Sequence, residues 1–238
     1  PFESTFYKEN KNQKFGSESE IPYLKTPYLF YEKIISRLVK SEHKVLEIGS
    51  GTGLYTLPLI KTGAKITASD ISNESLKILK RTFKHLKNIN LLCEIADIEN
   101  LPFDNDSFDV IASAGSLSYG LAQKVDSEIR RVLKPNGLFI CVDSLNNNPL
   151  YRLNRYRHFL KGSRTKLTLN NMPGVNRLES LKNYYSSVEL KYFGSISYLM
   201  PILSKIFGEK KSKKISDEVD SFFRIKRSAF KFVLVAKL

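Results

Sequence analysis

Three groups of residues have the types and spacing to hold a nucleoside-bearing ligand. Val45-Leu46-Glu47-Ile48-Gly49-Ser50-Gly51-Thr52-Gly53 reads as a buried strand entering a glycine-rich turn, with a helix beginning at Leu54. Glycines, having no Cβ, let backbone N–H groups approach an anionic or polar ligand closely. Asp70 ends a second strand, Lys65 to Ser69, twenty-one positions after Gly49. A carboxylate there accepts both ribose hydroxyls of a bound nucleotide. A third strand, Ile89 to Ile95, runs into Ala96-Asp97-Ile98. The dinucleotide fingerprint G-x-G-x-x-G would take Gly49 and Gly51 and then require glycine where Leu54 stands.

The run E-x-G-x-G-x-G from Glu47 to Gly53 resembles motif I of the class I S-adenosylmethionine (SAM) dependent methyltransferases. The resemblance continues at Asp97-Ile98, through Phe103-Asp104-Asn105-Asp106-Ser107-Phe108-Asp109, and again in the helix and turn Ile129-Arg130-Arg131-Val132-Leu133-Lys134-Pro135-Asn136-Gly137. These blocks follow in order between about Lys44 and Asp143. It implies SAM as cofactor, held by Glu47, Gly49, Ser50, Gly51, Gly53, Asp70, Ile71, Asp97, Ile98 and Ala114. Asp97 would accept from the adenine exocyclic amine while the next backbone N–H donates to the ring. Single glycine turns and strand-end aspartates are common in α/β proteins; the ordered set is what points to SAM. Cofactor ligands speak for binding rather than turnover, so a non-catalytic SAM-binding partner subunit is an alternative reading.

Methyl transfer is an in-line displacement at a sulfonium methyl, so the protein must align an acceptor and exclude water. A hydroxyl acceptor must also lose its proton to a base. The candidates are His158 in a basic segment after the fifth strand, Asp143 at the carboxyl end of that strand, and Tyr119 after the fourth. His43 precedes the first strand and His85 closes a surface helix, both solvated positions. No metal is expected, because the fourth strand ends in Ser113-Ala114-Gly115-Ser116 and Asp143 alone is too little for a hard cation.

The acceptor side is distinguished by charge. Residues 1–143 hold 19 Lys or Arg against 18 Asp or Glu, whereas residues 144–238 hold 19 against 6. Nearly all of the net +14 therefore lies outside the cofactor half, which points to an anionic partner. Arg152, Arg155 and Arg164 are the candidate ligands, since guanidinium forks suit phosphate. Asn148 to Arg155, with Arg164-Thr165, resembles the cap of methyltransferases of bacterial surface-polysaccharide pathways. That resemblance implies O-methylation of a phosphorylated, nucleotide-linked or lipid-linked sugar of capsule or O-antigen. Another small metabolite or RNA is the alternative acceptor. Nucleic acid is the weaker choice, because no separate binding module is visible and the Asn-Pro-Pro-Tyr signature is missing after the fourth strand. The apolar stretch Ile196 to Phe207, followed by Lys210, Lys211, Lys213 and Lys214, suits either peripheral contact with an anionic membrane or packing on the cap.

The elements that must position these residues follow from periodicity. A helix is expected from about Tyr28 to Lys40, another from Leu54 to Lys61, a third beginning at Ser72, and a fourth from Leu121 to Leu133. Alternating with apolar strands, they predict a doubly wound, mainly parallel α/β sheet, and the methyltransferase resemblance implies the Rossmann-like order 3-2-1-4-5-7-6 with an antiparallel last strand. The chain reads as one domain of residues 1–238. An arm over residues 1–27 would close on the site through Tyr7, Tyr23 or Tyr28, and insertions at 145–173 and 197–224 would cover the acceptor. Cys93 and Cys141 fall on strands four places apart, roughly 19 Å at about 4.8 Å per strand, too far for a disulfide. Both are expected as buried thiols of a cytoplasmic protein with no visible secretory signal or membrane span.

Overall fold

The computed structural model describes residues 14–162, 165–223 and 225–238. Seven strands form one sheet: β1 Lys44–Ile48, β2 Lys65–Asp70, β3 Leu91–Ile95, β4 Phe108–Ala114, β5 Leu133–Ser144, β6 Ser187–Phe193 and β7 Lys231–Lys237. Their order is β3-β2-β1-β4-β5-β7-β6, as the methyltransferase resemblance implies. The pairs from β3 across to β5 are parallel, and β7 runs antiparallel to both β5 and β6.

Alternation along the central strands builds a core on each face of the sheet. Val45 and Val110 point to one side, where α1 (Lys25–Leu38), α2 (Thr56–Ile60) and α3 (Asn73–Phe83) contribute Tyr31, Ile35, Leu59 and Leu79. Leu46 and Ile111 point to the other, against Val125, Ile129 and Val132 of α4 (Ala122–Val132). The Ser72 side chain caps α3 by accepting from Ser75 N–H at 3.2 Å.

Several boundaries differ from the periodicity reading. The helix α1 begins at Lys25, three residues before Tyr28, and α2 covers only Thr56–Ile60 because the turn continues through Tyr55. The strand β5 starts at Leu133 rather than near Leu138, with Asn136 at φ +65° and a register irregularity opposite Phe108/Val110. Its Lys134-Pro135-Asn136-Gly137 turn is thus built into the strand. Cys141 is buried, but Cys93 is only half-buried because β3 is the sheet edge, where neighbouring Leu92 is 70% exposed.

The segment after β5 forms α5 (Pro149–Leu160), α6 (Lys166–Asn170) and α7 (Val175–Ser180). Between β6 and β7 stand α8 (Met200–Phe207) and α9 (Glu209–Phe223). Since β5 and β6 both run antiparallel to β7, Ser144 and Phe193 end at the same carboxyl edge. Both segments therefore leave the sheet where ligands bind in this class of fold.

Candidate functional site

Three strand ends converge on one cleft of about 520 Å³. The turn after β1 supplies Gly49, Ser50, Gly51 and Thr52, β2 supplies Asp70 and Ile71, and the loop after β3 supplies Ala96, Asp97 and Ile98. Gly49 and Gly51 have φ of +63° and +55°, in the region that favours glycine. A Cβ on Gly49 would stand 2.4 Å from Cβ of Ser116, so the β1 turn and the loop after β4 lie in close contact. Gly53 packs away from the cleft, against Phe83 and Leu79 of α3.

The carboxylates are differently placed. Asp70 Oδ2 accepts from Gly51 N–H and Oδ1 from Ser72 N–H, each at 2.8 Å. An ionised carboxylate offers about four acceptor positions, so two remain for a ribose diol. Exposed Asp97 accepts from Glu99 N–H at 2.9 Å, next to buried Ile98. Glu47 is buried within β1 and accepts from Thr56 Oγ1 at 2.6 Å. Burial pushes its carboxyl up to about 8; the Thr56 hydrogen bond opposes the rise and the Asp70 charge adds to it.

These groups fit SAM. Ser50 Oγ is buried with no protein partner and lies on the cleft wall. Ile71, 71% exposed, and Ile98 offer apolar surface for an adenine ring beside the two aspartates. Of the residues expected to hold the cofactor, all but Gly53 line the cleft, Ala114 included. Tyr55, Ser116 and Tyr119 complete its wall.

The three candidate bases are not brought together. Tyr119, 65% exposed, lines the cofactor cleft. Asp143 is buried behind it, where its carboxylate accepts from Leu117 N–H at 3.0 Å and Ser144 N–H at 2.6 Å. His158 is exposed on α5 and is not among the residues lining the cleft. Of the candidate acceptor ligands, Arg155 is buried and donates to the Leu145 carbonyl at 2.9 Å and to Asn146 Oδ1 at 3.1 Å, holding the cap to its own stem. Arg152 is exposed beside Asn146, Leu153 and Tyr156 in a separate depression. Arg164 and Tyr7 lie outside the described residues.

A second buried group was not read from the sequence. Lys231, on β7 opposite Ser144, donates to Ser144 Oγ at 3.3 Å and places its ammonium 4.8 Å from the Tyr28 ring centroid. Burial pulls its pKa down and pushes that of Asp143 up, each charge partly offsetting the other's penalty. Tyr28 stacks on Tyr55 with centroids 4.8 Å apart, and Tyr55 Oη donates to Glu20. Tyr28 is buried and reaches the cleft only through Tyr55, which lines it. Lysine inside the run Phe230-Lys231-Phe232-Val233 was the available signal, since a charged residue in a core strand demands a partner. Among the described residues no cluster of three or more His, Cys, Asp or Glu is placed to hold a metal ion.

Comparison with known proteins agrees with this geometry. Residues 46–141 match a family model described as a methyltransferase domain. A demethylmenaquinone methyltransferase of Staphylococcus haemolyticus is 35% identical over 114 residues, 44% of this chain and 45% of that protein. The chain spans about half the length of the curated relatives it matches. A putative sarcosine dimethylglycine methyltransferase from Galdieria sulphuraria superposes with a TM-score of 0.61 at 15% identity, covering 98% of this chain and 97% of that one. Phosphoethanolamine N-methyltransferase 2 of Haemonchus contortus, solved with S-adenosyl-L-methionine, gives 0.62 at 15% identity, covering 89% and 52%. The residues lining this cleft fit S-adenosyl-L-methionine, and the fold built around it is that of the class I methyltransferases.

Proposed function

We propose that this protein transfers the methyl group of SAM to a hydroxyl oxygen of an anionic acceptor, a phosphorylated, nucleotide-linked or lipid-linked sugar of a surface glycan. The observation that carries the reading is the charge asymmetry: residues 144–238, which form both segments at the carboxyl edge, hold 19 basic and 6 acidic residues. The cleft's own lining holds Glu47, Asp70 and Asp97 and no Lys or Arg, so the basic segments would attract an anion from outside it. The acceptor oxygen bonds the methyl carbon as the sulfur–carbon bond breaks, S-adenosylhomocysteine leaves, and the hydroxyl proton passes to a base.

Tyr119 is the preferred candidate base, because it alone of the three shares the cleft with the cofactor ligands. Asp143 serves as a positioning residue, gripping Leu117 N–H and so the loop that carries Tyr119. His158 and Arg152, both on the exposed side of α5, are assigned to the acceptor's approach. Peripheral work at the inner face of the membrane suits a lipid-linked acceptor. An apolar acceptor such as demethylmenaquinone is the second reading, favoured by the exposed Leu150, Leu153 and Leu160 of α5.

Calorimetric titration with SAM, against NAD and NADP as controls, tests the cofactor half. Micromolar SAM binding without dinucleotide binding is the expected outcome, and no SAM binding by folded protein would overturn the proposal. Transfer of radiolabelled methyl from SAM to sugar phosphates, nucleotide sugars, lipid-linked sugars and demethylmenaquinone then chooses the acceptor. Labelling of the quinone alone would sink the glycan reading.

A further inference from the structure

The segments at the carboxyl edge carry apolar surface that the described fold leaves uncovered. On α5, Leu150, Leu153 and Leu160 are 52%, 60% and 67% exposed; on α8, Ile202 and Ile206 are 60% and 64% exposed. Each set repeats at helical spacing and so shares a face. The inward positions are already filled by Tyr151 and Arg155 on α5 and by Met200 on α8. Tyr151 packs edge-on against Tyr198, just ahead of α8, with centroids 6.2 Å apart, and donates to the Gly194 carbonyl at 3.1 Å. The inward side of α5 is therefore joined to the turn that leads into α8. Exposed apolar residues gathered in this way mark a contact with a partner or a membrane.

Charge selects between them. Residues 145–173 hold six Arg or Lys and no acidic residue, and residues 197–224 hold six against four, with three of the four acids at 217–220 in the second half of α9. Lys213 pairs with Asp217 at 2.5 Å, but among the described residues Lys205, Lys210 and Lys211 make no ion pair. No described helix is long and apolar enough to cross a bilayer, and α8 has only eight residues. Short apolar helical faces bordered by lysines suit the plane of an anionic lipid interface, where apolar burial and headgroup attraction add.

We propose that this face docks on an anionic phospholipid bilayer, with the apolar sides of α5 and α8 at the boundary of headgroups and acyl chains and Lys205, Lys210 and Lys211 on the headgroups. Docking there turns the carboxyl edge of the sheet, and the cofactor cleft with it, towards the lipid. The benefit to catalysis rests on the lipid-linked form of the acceptor reading; the binding itself does not.

The test is co-sedimentation of the full chain with phosphatidylcholine vesicles made with and without phosphatidylglycerol. Binding to the anionic vesicles is expected to be roughly tenfold or more tighter and to weaken with added salt. The double substitution Ile202→Glu with Ile206→Glu should reduce it by about tenfold or more, and Lys210→Glu with Lys211→Glu should abolish the preference for phosphatidylglycerol. Vesicle binding that ignores lipid charge, no binding to either vesicle, or undiminished binding of both variants would overturn the inference. Self-association in sedimentation velocity that disappears in the isoleucine variant would assign the face to a second copy, with the same consequence. SAM calorimetry on the same samples separates the two proposals: protein that binds SAM but no vesicle loses only the membrane contact.

Discussion

Asp70 and Glu47 are carboxylates of one cleft with different surroundings, and each makes a separate prediction. Asp70 stands at the cleft wall with its backbone donors in place. If it holds the ribose, replacing it with Ala removes charge-assisted hydrogen bonds, each worth about 1.5 to 3 kcal/mol. SAM affinity measured by calorimetry should fall roughly tenfold or more, and an unchanged affinity would unseat the ribose role. Glu47 is buried, with a folded pKa of about 8 against an ordinary 4.5. Between those values the folded chain binds one proton more than the unfolded chain, so stability falls as pH rises through that window. Glu47→Gln is neutral throughout. Without cofactor, it should gain about 2 kcal/mol or more over the parent between pH 6 and pH 9 in urea titrations. Parallel losses in the two proteins would show that another group titrates.

The turns are the elements on which the site depends, and the glycines of the first turn should not respond alike to alanine. At Gly51 a Cβ meets nothing within 4 Å, so Gly51→Ala carries only the left-handed backbone penalty of about 1 to 2 kcal/mol. At Gly49 the same change adds a 2.4 Å approach to Ser116 Cβ and must push apart the loops after β1 and β4. Denaturant titration should show Gly49→Ala losing at least about 1 kcal/mol more than Gly51→Ala; equal losses would mean that Ser116 yields freely. These turns and the strands feeding them were legible because each is written locally, in apolar runs such as Val45 to Ile48 that end at Gly or Asp. The short α2 was overextended because nothing in Leu54-Tyr55 marks the end of the turn. The acceptor side was harder for a physical reason. Arg155 looks like a phosphate ligand in the sequence, yet it is buried and its Nη1 donates to Leu145 and Asn146. Lys231 meets Ser144, 87 positions away, a pairing that only the finished sheet creates.

At the scale of the whole molecule, a nearly neutral first part of the chain must stay in register with a strongly basic second part, and Arg177 is a joint between them beside the shared sheet. It lies on α7, beyond the cap helices, and forms a fork on Asp126 of α4: Nη2 to Oδ1 at 2.7 Å and Nε to Oδ2 at 3.1 Å. Its Nη1 donates to the Leu117 carbonyl at 3.2 Å, in the same loop that Asp143 grips through Leu117 N–H. One guanidinium therefore ties α7, α4 and the loop bearing Tyr119. Both side chains of the pair are largely shielded, at 13% and 16% exposed, so removing the cation leaves a poorly solvated carboxylate. Arg177→Met should cost roughly 2 to 3 kcal/mol in urea unfolding, less than for a fully buried pair because some water reaches it. Arg177→Lys keeps the charge but not the planar fork, and should recover only part of that loss. If the joint also sets the acceptor side, Arg177→Lys should raise KM for an identified acceptor while leaving SAM affinity unchanged. Equal stability of the Arg177→Met variant and the parent would show instead that the two halves are held in register by sheet packing alone.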